Sequence, residues 1–125
     1  PGGTAGAESL RDNNKVIEII KDFNDRDKLI AAICAGPIVL DRAGVLKDKK
    51  VTSFPSVKDE LKNIGQYIDD DIVVTDGNIT TSRGAALTNY LALRLIELIK
   101  GKTYKEEVKY GTQHVAVEEY YKIVF

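Results

Sequence analysis

Methionine and tryptophan are absent from this chain, and cysteine and histidine occur once each. A single cysteine cannot close an internal disulfide, so a reducing cytosol is the default compartment. The same count excludes zinc held by a cysteine cluster, and neither a metal nor a cofactor is expected. An excess of charge of one sign is lacking too: 18 Lys and Arg against 19 Asp and Glu leave a net charge of −1. The two signs are interspersed, which provides neither a nucleic-acid footprint nor a polybasic membrane patch. No apolar run approaches the roughly 18 residues that span a bilayer, and no signal-peptide pattern is present. At 125 residues the chain reads as one domain, 1–125, with room for a real core.

The one cysteine has informative neighbours. Leu29-Ile30-Ala31-Ala32-Ile33 is a short apolar strand, read as buried on both faces, and Cys34-Ala35-Gly36-Pro37 breaks it sharply. Ala32 and Gly36, two before and two after Cys34, are the small residues that a strand–nucleophile–helix elbow requires. At such an elbow the central residue takes a strained backbone, and Pro37 suits the first turn of the following helix. A thiol there sits at a helix N-terminus, whose partial positive charge favours the thiolate. The competing reading is a small buried hydrophobe, the usual fate of a lone cysteine.

Elsewhere the periodicity alternates between strand and helix. Residues 1–12 form a glycine-rich loop leading to a short turn or helix. Val16, Ile19, Ile20 and Phe23 mark an amphipathic helix capped by Asn13 or Asn14. After the elbow, Ile38 to Leu46 holds a short helix stopped around Gly44, Lys50 to Phe54 reads as a strand, and Pro55 to Ile64 as a helical excursion. Ile72–Thr75 and Asn78–Thr81 flank Asp76-Gly77, a strong hairpin signal. Leu87, Leu91, Leu95, Leu98 and Ile99 mark a helix from Ala85 to Lys100, ended by Gly101. The tail, 109–125, is left unplaced. This alternation argues an α/β sandwich.

Four ordered segments together resemble one family: Pro1-Gly2-Gly3, then Ala31-Ala32-Ile33-Cys34-Ala35-Gly36-Pro37, then Lys50-Val51-Thr52-Ser53-Phe54-Pro55, then Asp76-Gly77-Asn78-Ile79-Thr80-Thr81-Ser82-Arg83-Gly84. The chain is identified by them as similar to the ThiJ/PfpI superfamily, in the branch of the parkinsonism-associated protein deglycase and its bacterial relatives. The resemblance covers about residues 1 to 108. It implies a flavodoxin-like three-layer α/β/α sandwich with a mostly parallel sheet. It also implies that the N-terminal strands are missing, since proline-glycine-glycine lies in mid-chain in that family. The chain is therefore expected to be a fragment or processed piece, with a companion N-terminal segment or chain and an otherwise exposed sheet edge.

The site expected from these readings centres on Cys34 as nucleophile. The backbone N–H of Gly3 and that of Ala35 are the candidate oxyanion donors, and Gly2, Gly36 and Arg83 form its rim. Arg83 follows a strand end, where open α/β sheets place ligands, although a structural salt bridge is the favoured role for it. His114 reads as a surface residue, and Asp69-Asp70-Asp71 as a solvated turn without Ca²⁺-loop spacing. Some family members place histidine where this chain has Phe54, and protease-like members place it where this chain has Ala35. A Cys-His protease is thereby disfavoured. In the deglycase-like branch the partner of the cysteine is a glutamate near the end of the first strand, which lies outside this chain. The resemblance implies action on small aldehydes or glycated groups, as a glutathione-independent glyoxalase or deglycase, in a cytoplasmic homodimer. The alternative is a non-enzymatic oxidative-stress sensor or chaperone using the same cysteine.

Overall fold

Local chemistry sets the helices at the start of the chain, whose residues 1–124 are described by a computed structural model. Helix α1 (Thr4–Arg11) begins at Gly3, whose φ of 83° suits glycine and whose carbonyl accepts the Ala7 amide at 2.8 Å. Helix α2 (Asn14–Asp25) is capped by Asn13, whose side-chain oxygen accepts the amides of Lys15 and Val16 at 3.0 and 3.3 Å. The buried stripe of α2 is rotated from the expected one. Val16, Ile17 and Ile20 pack on the core, while Ile19 and Phe23 stay exposed. Positions i, i+1 and i+4 share a helix face as well as i, i+3 and i+4 do, and packing against α3 (Pro37–Ala43) selects between them.

The chain divides into two compact units, the first being Pro1–Thr88. Its main sheet contains β1 (Ile30–Ile33), β4 (Val73–Asp76) and β5 (Ile79–Ser82), in the order β1-β5-β4. β1 runs parallel to β5, with Ile30 opposite Ile79 and Ile33 opposite Ser82. β4 and β5 form the expected antiparallel hairpin, but its turn is Gly77-Asn78, one residue later than Asp76-Gly77 suggests. Asp76 pairs with Ile79, and its carboxylate accepts the Lys50 amide at 2.8 Å. Gly77, at φ 59°, then takes the first turn position. β1 is not buried on both faces: Ala31 is exposed, and among the described residues no strand pairs with the edge opposite β5.

Two short strands, β2 (Lys50–Val51) and β3 (Gln66–Tyr67), form a separate parallel ladder. The expected strand from Lys50 to Phe54 stops after Val51 because the following amides find other partners. Thr52 donates to the Thr81 hydroxyl at 2.9 Å, and Phe54 donates to the Cys34 carbonyl at 2.8 Å. Pro55–Glu60 is a 3-10 turn rather than a helix to Ile64. The core of this unit joins Ile30 and Ile79 of the sheet to Ile38, Leu40, Leu46 and Val51, with Ala7 of α1 buried beside them. Gly44, at φ 74°, ends α3 in the left-handed conformation, and Val45 and Leu46 are buried beyond it.

Two glycines separate packing from propensity. A Cβ on Gly65 would meet the backbone carbonyl carbon of Asp48 at 2.5 Å, whereas one on Gly6, within α1, would meet nothing within 4 Å. Gly65→Ala is expected to destabilise by about 1–3 kcal/mol. Gly6→Ala is expected to stabilise by about 0.5–1 kcal/mol. Urea unfolding of both variants beside the parent checks the opposite signs.

The second unit, from Asn89 onward, holds most of α4 (Thr88–Lys100) with α5 (Lys102–Gly111) and α6 (His114–Tyr121). The expected helix from Ala85 instead opens as a 3-10 turn over Ala85–Leu87. Its buried residues are Leu91 and Leu93, and Leu98 and Ile99 of the expected stripe are exposed. Gly101, at φ 90°, ends α4 and serves as the N-cap of α5. The unplaced tail is helical to Gly111 and again over His114–Tyr121. Among the described residues, no helix is long and apolar enough to cross a membrane.

This unit buries two lysines, Lys105 and Lys109. Lys105 reaches Glu97 at 3.2 Å, and Lys109 reaches Glu118 at 2.9 Å and Glu106 at 3.5 Å. Burial pushes the Lys109 ammonium toward deprotonation, but the hydrogen bond and charge of Glu118, aided by Glu106, outweigh it and raise its pKa above 10.5. A raised folded-state pKa means that this stabilisation is full below pH 10.5 and is lost as pH rises through the folded value. The melting temperature is therefore expected to fall above that pH, and to fall less steeply in Lys109→Met, as thermal melts across the alkaline range will register.

Candidate active site

The site begins where β1 ends. Cys34-Ala35-Gly36 turns the chain from Ile33 to Pro37, the first residue of α3. Cys34 has φ 63°, in the left-handed region. That conformation costs a residue with a Cβ about 1–2 kcal/mol. Three backbone hydrogen bonds hold it there. The Cys34 amide donates to the Ser82 carbonyl at 2.9 Å, the Phe54 amide donates to the Cys34 carbonyl at 2.8 Å, and the Gly36 amide donates to the Ile33 carbonyl at 2.9 Å. Strain of this kind persists where the surroundings over-determine it.

Glycine is required beside the elbow for closeness. Gly36 has an ordinary helical φ of −51°, but a Cβ there would sit 2.9 Å from the Ile33 oxygen and 3.0 Å from the Pro1 oxygen. A Cβ on Gly2 would sit 2.6 Å from Cys34 Cβ and 3.3 Å from its Sγ. The Pro1–Gly3 loop is thus pressed against the thiol. Both strands that meet here, β1 and β5, end at this point in parallel, the place where open α/β sheets form ligand crevices.

A cavity of about 270 Å³ opens there, lined by Gly2, Gly3, Ile33, Cys34, Ala85 and Thr88. Cys34 is half-buried. Among the described residues, neither the Gly3 amide nor the Ala35 amide donates to an internal acceptor. Of the lining residues, none carries a carboxylate or an imidazole. The cavity therefore places the Cys34 side chain beside Gly2, Gly3 and Ala85, with no charged side chain among its lining residues.

The other predicted residues are placed as follows. Gly2, Gly3, Ala35 and Gly36 surround Cys34. Among the described residues Arg83 forms no salt bridge: its guanidinium donates to the Asp69 backbone carbonyl, and it lines a neighbouring cleft with Phe54. Asp69 reaches Lys58 at 2.9 Å, and Asp71 accepts the Ile72 amide at 2.7 Å. His114 belongs to the second unit, where its ring stands edge-on to Tyr90 at 5.3 Å. Ala85 and Thr88 were not foreseen in the wall. Their position just after Arg83-Gly84, at the end of a strand next to β1, is the signal that points to them.

An α/β fold with a cysteine strained at a strand-to-helix elbow is the class these features define. The sequence pattern of the DJ-1/PfpI family matches residues 1–98, and the chain belongs to that family. It is 40% identical over 111 residues to the protein dj-1beta of Drosophila melanogaster, covering 89% of this chain and 59% of that relative. A deglycase from Pyrococcus horikoshii is 39% identical over 101 residues, covering 80% of this chain and 60% of that protein. The crystal structure of Drosophila DJ-1beta superimposes with a TM-score of 0.86 at 39% identity, over 90% of this chain and 61% of that one. The fold is accordingly the flavodoxin-like α/β type. The chain spans about three-fifths of the length of these relatives.

The strain at Cys34 has a direct readout. Cys34→Gly and Cys34→Ala both remove the thiol, but only glycine relieves the left-handed backbone. The glycine variant is expected to be more stable by about 1 kcal/mol. Equal stabilities in denaturant unfolding would show that the elbow stores no strain.

Proposed function

We propose that Cys34 acts as a nucleophile on small reactive carbonyls, in the manner of a deglycase or a glyoxalase that uses no glutathione. The thiolate adds to the aldehyde carbon. An S–C bond forms, and the carbonyl π pair becomes an alkoxide held by the N–H groups of Gly3 and Ala35. Protonation of that oxygen completes a hemithioacetal. The observation that carries this reading is the half-buried Cys34, strained at φ 63° and lining a cavity of about 270 Å³. Pockets for drug-sized ligands run from roughly 300 Å³ upward, so this volume suits an aldehyde of few carbons. The likeness to a deglycase of Pyrococcus horikoshii supports the same class.

Proton transfer needs a group that the lining residues described do not supply. We assign it to a glutamate on a companion N-terminal segment or chain, as the resemblance implies. The edge of β1 opposite β5 is where a strand of that segment fits, close to Cys34. A cytosolic homodimer belongs to the same reading, because a reducing compartment keeps the lone thiol available.

Methylglyoxal consumption by the intact protein tests it. Cys34→Ser is expected to lower the rate by roughly a thousandfold or more. Absence of turnover in the parent, together with selective peroxide oxidation of Cys34 to a sulfinate, would favour the sensor reading instead. A protease would have to show peptide cleavage that disappears in Cys34→Ala.

A further inference from the structure

A second cleft adjoins the cysteine cavity. It has a volume of about 300 Å³, and its walls include Phe54, Pro55, Arg83, Ala85 and Leu87. Ala85 lines both spaces, so the two lie next to one another. All of these residues belong to the first unit.

Phe54 is the unusual member. The residue is 46% exposed, although an aromatic ring gains most from burial. Its backbone is nonetheless tied to the elbow, through the amide that donates to the Cys34 carbonyl at 2.8 Å. Gly84 lies at the ring: a Cβ there would be 3.8 Å from Phe54 Cδ2. Pro55 stiffens the chain on the other side. A rigidly anchored, half-open aromatic wall beside a reactive atom has the form of a subsite for an apolar group. The guanidinium of Arg83 is drawn toward the Asp69 carbonyl.

We propose that this cleft is a substrate subsite, in which Phe54 and Leu87 hold an apolar, ring-sized substituent of a molecule whose electrophilic carbon lies at Cys34. The inference rests on the reading of Cys34 as the nucleophile and adds the substrate class to it: carbonyl compounds bearing an aryl or similarly bulky apolar group. Phe54 acts here by contact with the substituent and takes no part in bond making. Occupancy by a substituent of the same molecule requires the two spaces to be neighbours, as their common residue Ala85 makes them.

Alkylation of Cys34 in the intact protein tests the subsite without requiring turnover. The probes are chloroacetamide and N-benzylchloroacetamide, each of which forms an S–C bond and releases chloride. The parent is expected to react with the benzyl reagent roughly tenfold faster relative to chloroacetamide than a free thiol does. Phe54→Ala should bring that ratio back to the free-thiol value, and Phe54→Tyr, which keeps the ring, should retain it. A perturbed elbow would change both rates together and leave the ratio unmoved. A parent ratio equal to that of the free thiol, or one unchanged in Phe54→Ala, overturns the subsite alone. Failure of both reagents to label Cys34 overturns the nucleophile reading as well.

Discussion

The left-handed backbone at Cys34 is the constraint on which the rest of the site depends. Without it, β1 would run on past Ile33 and the thiol would project from one face of the sheet. With it, the chain folds over into α3 and the sulfur stands at the open end of two parallel strands. Each clamp comes from a different part of the chain: Ser82 at the end of β5, Phe54 after β2, and Ile33 within the elbow itself. The strain is of the order of 1–2 kcal/mol, comparable to the net worth of one or two of those hydrogen bonds. The elbow therefore exists only in the assembled unit.

Closeness is the second theme. Gly2 touches the cysteine side chain with its backbone, Gly36 packs between two carbonyls, and Gly65 lies on the backbone of Asp48. At none of these three does a positive φ require glycine. What is required is the absence of a Cβ. Around the cysteine cavity it leaves Gly2, Gly3 and Ala85 beside Ile33 and Thr88, with no charged side chain among the lining residues. Phe54 lines the neighbouring cleft instead.

Much of this was legible in the sequence, and the reasons are local. Asn13 caps α2 because its side chain needs only amides two and three residues on. The β4–β5 hairpin forms where glycine allows a two-residue turn, and the elbow follows from small residues spaced around Cys34. Other features were hidden because distant partners decide them. The rotation of the buried stripe of α2 depends on α3. The early end of β2 depends on Thr81 and Cys34, residues that alternation along Lys50–Phe54 cannot reveal. The shift of the hairpin turn follows from the engagement of Asp76 with Lys50. Phe54 could be read from sequence only as the place of a histidine that this chain does not have.

By itself, the sequence determined the family, the alternation of strand and helix, the elbow and its one sulfur. Those depend on residue type and spacing within a few positions, where backbone sterics and capping act. Only the tertiary structure decided which backbone atoms clamp Cys34, that Ala85 and Thr88 wall its cavity, and that Phe54 opens a second cleft beside it. Apart from the local Gly36–Ile33 bond, those contacts join residues some 20 or more positions apart, which no local pattern carries. A lone cysteine gains its left-handed backbone and its place in a cavity wall through partners distant in sequence.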